Sequence, residues 1–153
     1  MLAQIDFRYI RARPIKLLSR LLSYALFEGR PLTTRGRWIN FFVFSCFSVI
    51  KRLPFARSVE APVFILGTGR SGTTILGIVM SMHRDVGFLN EPKALWNSVY
   101  SNEDLIGSYT LKEARYRLSR EDASAGVVAS AHKLFGAYLC TIFAQRVVDK
   151  YPE

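Results

Sequence analysis

Residues 67–74 read G-T-G-R-S-G-T-T and follow the apolar run "VFIL" at 63–66. These residue types at this spacing suit the holding of an anion. Gly67, Gly69 and Gly72 permit positive φ and close backbone approach, so that successive N–H groups can converge on one oxyanion. Ser71, Thr73 and Thr74 supply hydroxyl donors, and Arg70 supplies a planar cation suited to phosphate or sulfate oxygens. A helix that starts near Gly72 adds its free N–H groups and the positive end of its dipole. Loops that bind triphosphates carry lysine directly after the last glycine, where it reaches the outer phosphates, and a hydroxyl that holds Mg²⁺. Thr73 stands where that lysine would be. The loop therefore suits a single phosphate group on a nucleotide better than a metal-bound triphosphate.

The second candidate is Glu91, which follows the segment "DVGFL" at 85–89. If that segment is a second parallel strand, Glu91 stands at the carboxyl edge of the sheet beside the loop. Open α/β sheets hold their ligands there, and a carboxylate in that place can accept a proton from a hydroxyl. The plainer alternative is a solvated glutamate opening a helix ahead of Pro92.

The elements that must position these groups read as follows. Four consecutive large apolar residues at 63–66, bounded by Pro62 and Gly67, predict a strand covered on both faces. A helix follows over "TTILGIVMSMHR", ending near Arg84, with His83 in its last turn and Asp85 orienting nearby backbone. After the second strand, "EPKALWNSVYS" starts a helix with Pro92 in its first turn. Trp96 and Tyr100, four apart on it, are expected in the core, with a place lining a ligand cleft as the alternative. Thr110-x-x-Glu113 forms a capping box ahead of "LKEARYRLSR". The stretch "ASAHKLFGAYLCTIFA" is helical, and "QRVVDKYP" is a strand running into a turn. This alternation is an α/β order, and its crossovers imply a parallel sheet.

Composition sets the outer bounds. With 153 residues, 50% of them apolar and 22% charged, the chain is long enough to bury a core. Residues 1–57 hold eleven Lys and Arg against two acidic residues, whereas 58–153 hold ten of each sign, so the net charge of +9 belongs to the leader. That placement argues against a nucleic-acid-binding domain, whose charge would lie on a folded face. The leader carries an amphipathic helix over 14–31 and an apolar block at 38–50 fenced by arginine and lysine. Thirteen residues of helix span only about 20 Å, short of the roughly 30 Å of a bilayer core. Three readings of the leader stay open: helices packed on the following domain, peripheral membrane contact through residues 1–57, or a signal anchor. Cys46 and Cys140 are expected as buried free thiols, His83 and His132 lack metal-ligand spacing, and nothing demands an oxidising compartment. The chain is accordingly expected in the cytoplasm, associated with a membrane if the leader contacts one.

The residues also carry a resemblance. "FILGTGRSGTTIL" is similar to the 5′-phosphosulfate-binding loop of sulfotransferases that use 3′-phosphoadenosine 5′-phosphosulfate (PAPS), and R-S-G-T-T resembles their carbohydrate- and tyrosylprotein-directed branch. "HRDVGFLNEP" resembles that family's H-P-x-(hydrophobic)…E segment, with Arg84 in place of proline, and its glutamate falls on Glu91. "VVDKYPE" resembles a strand ending in Lys-x-Pro, which puts the family's lysine on Lys150. The resemblance covers residues 61–153 and implies a P-loop-type three-layer α/β/α domain with a parallel sheet, preceded by the basic apolar leader of residues 1–57. It implies PAPS as co-substrate, held by Gly69, Arg70, Ser71, Gly72, Thr73 and Thr74, with no metal. It further implies Glu91 as general base, Arg70 and Lys150 stabilising the transition state and the leaving phosphate, and a hydroxyl-bearing acceptor: carbohydrate, lipid, peptide or small molecule. In that family the 3′-phosphate is held by residues beyond the Lys-x-Pro segment. The chain thus reads as the incomplete, N-terminal portion of such an enzyme, expected to bind PAPS weakly and transfer sulfate slowly or not at all. An atypical P-loop kinase or nucleotide hydrolase and a non-catalytic membrane-associated fragment are the competing readings.

Overall fold

The computed structural model describes Leu18, Leu21, Phe27 and residues 37–54, 57–101 and 119–150. Most of the helix expected over 14–31, the Thr110–Glu113 capping box with the helix after it, and the turn at 151–153 lie outside the described residues.

The first element described over its whole length is α1, Arg37–Arg52, which continues beyond the apolar block at both ends. Val43, Phe44, Phe47 and Ile50 recur at helical spacing, and this face packs into the main core. Its last turn carries Lys51 and Arg52, the sign that a helix C-terminus favours. Lys51 Nζ donates to the Ser98 carbonyl at 2.8 Å. Lys133 Nζ donates to the carbonyls of Lys51 at 2.7 Å and Leu53 at 2.8 Å, at the end of the helix where main-chain acceptors lack intrahelical donors. Residues 37–54 of the leader are therefore packed on the domain. The connecting stretch lies against it too: the Val59 N–H donates to His132 Nδ1 at 3.2 Å.

Among the described residues three strands form the sheet: β1, Val63–Ile65; β2, Val86–Asn90; and β3, Arg146–Lys150. All pairings are parallel and the order is β1-β3-β2, so the last strand is inserted between the first two. Between them run α2, Thr73–Ser81; α3, Lys93–Val99; a 3₁₀ turn at Arg120–Asp122; and α4, Ala125–Thr141. Alternation along β2 and β3 sends Phe88 and Val148 to one face and Leu89 and Val147 to the other. On the first face, Phe88, Val148 and Ile65 pack with Ile78 and Met80 of α2. Gly77 permits this approach, since a Cβ there would overlap the Phe88 ring. On the second face, Leu89 and Val147 join Leu95 of α3, Leu134, Tyr138 and Leu139 of α4, and Val43 and Phe47 of α1. The Tyr138 hydroxyl donates to the Phe88 carbonyl at 3.0 Å, which fastens α4 to β2. The expected parallel α/β arrangement is present, with helices on both faces.

Four local expectations need correction. β1 is not covered on both faces: Ile65 is buried, but Phe64 and Leu66 are exposed, because the helices on their side gather over β2 and β3 and the core there includes no residue of β1. α2 ends at Ser81, three residues before Arg84, because Met82 turns and the Asp85 N–H closes on His83 Nδ1 at 3.2 Å. Pro92 occupies the N-cap of α3 rather than its first turn. Cys46 and Cys140 are free but exposed, each beside a core residue (Phe47, Leu139) and so rotated outward by the helical repeat.

Candidate functional site

The loop between β1 and α2 is exposed and tightly curled. The Ser71 N–H and Oγ both donate to the Thr68 carbonyl, at 3.3 and 2.7 Å. A Cβ on Gly67 would lie 2.9 Å from both Ser71 Oγ and Thr73 Cγ2, so the loop folds back on its own start. Arg70 and Gly72 have φ of 68° and 84°. At Gly72 this left-handed value is free of Cβ strain, while at Arg70 it carries a conformational cost. Gly72 is the N-cap of α2 and offers no side chain to cap it. Thr73 and Thr74 thus open a helix whose first-turn N–H groups have no intrahelical acceptor. These features give the N-terminal end of α2 backbone donors that can face an anion, with Arg70 exposed at the tip of the loop.

Register fixes what stands beside the loop. Ile65, Lys150 and Asn90 lie abreast at the carboxyl ends of β1, β3 and β2. With strands about 4.8 Å apart, the start of the loop, Lys150 and the residue after Asn90 share an edge of about 10 Å. That residue is Glu91, and Lys150 Nζ donates to its Oε1 at 2.6 Å. The lysine side chain is 5% exposed and the glutamate side chain 22%. Glu91 is itself left-handed, with φ of 55°; its N–H donates to the Lys150 carbonyl and its carbonyl accepts from the Lys93 N–H, each at 2.8 Å. Of the four positive-φ residues other than glycine among the described residues, two are Arg70 and Glu91. Strained backbone of this kind persists where surrounding contacts over-determine it, and it gathers at functional sites.

The structure therefore brings Glu91 and Lys150 into direct contact and sets residues 69–74 along the same sheet edge. His83 and Asp85 lie at the opposite, amino edge: the Asp85 carbonyl accepts from Gln145 N–H and Arg146 N–H at 2.8 and 2.9 Å. Asp85 does orient backbone, but far from the loop. Trp96 sits with the core, where its Nε1 donates to Asp149 Oδ2 at 2.8 Å. Tyr100 donates to Asp122 Oδ1 at 3.1 Å. Asp149, 1% exposed, was not singled out by the sequence reading; it ties α3, which follows Glu91, to the strand that ends in Lys150. Asn90, buried and abreast of Lys150, was also missed. The one signal for both was a polar residue inside an apolar strand segment, next to a candidate catalytic group.

Among the described residues no group of three or more His, Cys, Asp or Glu is placed to hold a metal ion. In comparisons with known proteins, no protein-family model, no curated protein and no solved structure matches the chain.

Proposed function

We propose that the chain carries the phosphosulfate half of a sulfotransferase site on a P-loop-type three-layer fold, with PAPS as donor and a hydroxyl as acceptor. The observation that carries this reading is the shared sheet edge: a lysine-free anion loop beside a carboxylate–ammonium pair, with left-handed backbone at Arg70 and Glu91. The residues fit the donor's chemistry. The curled loop and uncapped helix end suit one compact oxyanion, and Arg70 and Lys150 supply cations for phosphate and sulfuryl oxygens.

In the proposed reaction Glu91 takes the proton of the acceptor hydroxyl. The acceptor oxygen forms a bond to sulfur while the bond from sulfur to the bridging phosphate oxygen breaks, and 3′,5′-ADP leaves. Arg70 and Lys150 offset the negative charge that grows on the leaving phosphate, and N–H groups of residues 69–74 hold it in line. A positioned base of this kind contributes on the order of 10²–10⁴ in rate. The place of Thr73, where a kinase loop has lysine, weighs against triphosphate hydrolysis.

The test is a calorimetric and thermal-shift titration with 3′,5′-ADP alongside Mg²⁺-ATP, on this chain and on any longer form of it. Stabilisation by 3′,5′-ADP without a need for Mg²⁺ is expected. Response to Mg²⁺-ATP alone would replace this reading with that of a nucleotide hydrolase or kinase.

A further inference from the structure

α1 has two faces of different fate. Val43 and Phe47 are buried against α3 and α4, whereas Phe41 and Phe42 are 71% and 61% exposed and Val49 is exposed beside them. At 100° per residue, positions 41, 42, 45, 46, 49 and 52 fall on one arc, so these apolar side chains, Ser45, Cys46 and the exposed Arg52 form one outward surface. The two phenyl rings meet edge to face with centroids 5.8 Å apart. An isolated exposed leucine or valine is ordinary, but two adjacent solvent-facing phenylalanines on an otherwise packed helix form a patch.

Charge tells what covers it. No acidic residue occurs anywhere in α1, and residues 1–57 contain the whole net excess of +9. An apolar partner alone would leave that basic excess without purpose, and an acidic protein surface would leave the rings in contact with charge. A bilayer interface with anionic lipids offers both, with acyl chains for the rings and negative headgroups for the exposed Arg52 on the same face. The sixteen residues of α1 run about 24 Å, and among the described residues no helix is long and apolar enough to cross a membrane. We propose that α1 lies along an anionic membrane surface with Phe41, Phe42 and Val49 inserted, and that it docks the domain there peripherally. This inference is independent of the sulfotransferase reading.

The experiment is co-sedimentation of the full chain with vesicles of phosphatidylcholine alone and with about 30% phosphatidylserine, at low and high salt. The wild type is expected to pellet with the anionic vesicles at low salt and to be released in part by salt. The Phe41→Ser/Phe42→Ser variant is expected to lose at least about tenfold in partitioning, since it removes most of the inserted apolar area. Its melting temperature should stay near that of the wild type, because both side chains face solvent. Failure of the wild type to pellet with anionic vesicles at low salt overturns the proposal. So does a variant that pellets equally well, or a wild-type dimer that the variant dissolves while neither form binds vesicles, which would assign the patch to a second copy.

Discussion

Glu91 and Lys150 are joined twice, through the main chain by the Glu91 N–H on the Lys150 carbonyl at 2.8 Å and through the side chains at 2.6 Å. The two residues stand 59 positions apart in the chain and meet only because β3 enters beside β2. The side-chain pair opposes the two tasks proposed for it. A lysine that neutralises a glutamate is withheld from an incoming phosphate, and a carboxylate that accepts from an ammonium is a hindered base. Occupation of the loop by an anionic donor would draw Lys150 toward the donor and leave Glu91 to the acceptor hydroxyl.

Removal of the carboxylate should therefore help the donor and stop the reaction. Glu91→Gln is expected to bind 3′,5′-ADP several-fold more tightly, since Lys150 loses its competing anion, while turnover falls by about 10² or more in any form of the protein that transfers sulfate. Calorimetry reads the first effect and sulfate transfer the second. Unchanged or weaker binding would show that the pair does not oppose the donor, even if the loop holds it.

Stability should fall when one partner is lost and recover in part when both are lost. Lys150→Met leaves a partly buried carboxylate beside an apolar side chain, which is expected to cost about 1–3 kcal/mol, below the value for a fully buried pair because Glu91 retains some contact with water. The double change Glu91→Gln/Lys150→Met removes both charges and should recover at least half of that loss. Urea unfolding of the wild type and the two variants measures both values.

How far the site was legible in the sequence depends on where the information lay. The loop was legible because three glycines, hydroxyls and an arginine lie within eight residues, and because an apolar run precedes them. Glu91 could be placed at the sheet edge because one strand precedes it directly. Its bond to Lys150 could not be read, since it depends on strand order, which no local pattern encodes. The same gap explains β1: four apolar residues imply cover on both faces, but which neighbours a strand receives is a tertiary matter. The outward turn of Cys46 and Cys140 was within reach, since each adjoins a residue with a stronger claim to the core.

The anchor behind the pair is open to its own test. Trp96→Phe keeps most of the ring's contact with Phe135, whose centroid is 5.2 Å away, but deletes the Nε1 bond to buried Asp149. A cost of about 1–3 kcal/mol is expected from the loss of a donor to a buried charged group. If α3 positions Glu91 through this bond, 3′,5′-ADP affinity should change as well; a stability loss with unaltered affinity would limit Trp96 to packing. Denaturant unfolding with parallel titration separates the two.

Gly72 and Gly77, two and seven residues after Arg70, should fail in different ways when replaced by alanine. At Gly72 nothing lies within 4 Å of the added Cβ, so the expense is conformational: φ of 84° costs an L-residue about 1–2 kcal/mol and turns the loop away from its curled form. At Gly77 the backbone is helical and alanine is favoured locally, but the new methyl group overlaps the Phe88 ring and forces α2 from the sheet, for about 1–3 kcal/mol. A smaller ring-side partner should relieve the second and not the first. Phe88→Leu is therefore expected to restore part of the stability lost by Gly77→Ala and none of that lost by Gly72→Ala. Thermal melts of the two singles and the two doubles decide it, and equal rescue of both would mean that α2 is not held against β2 by this contact.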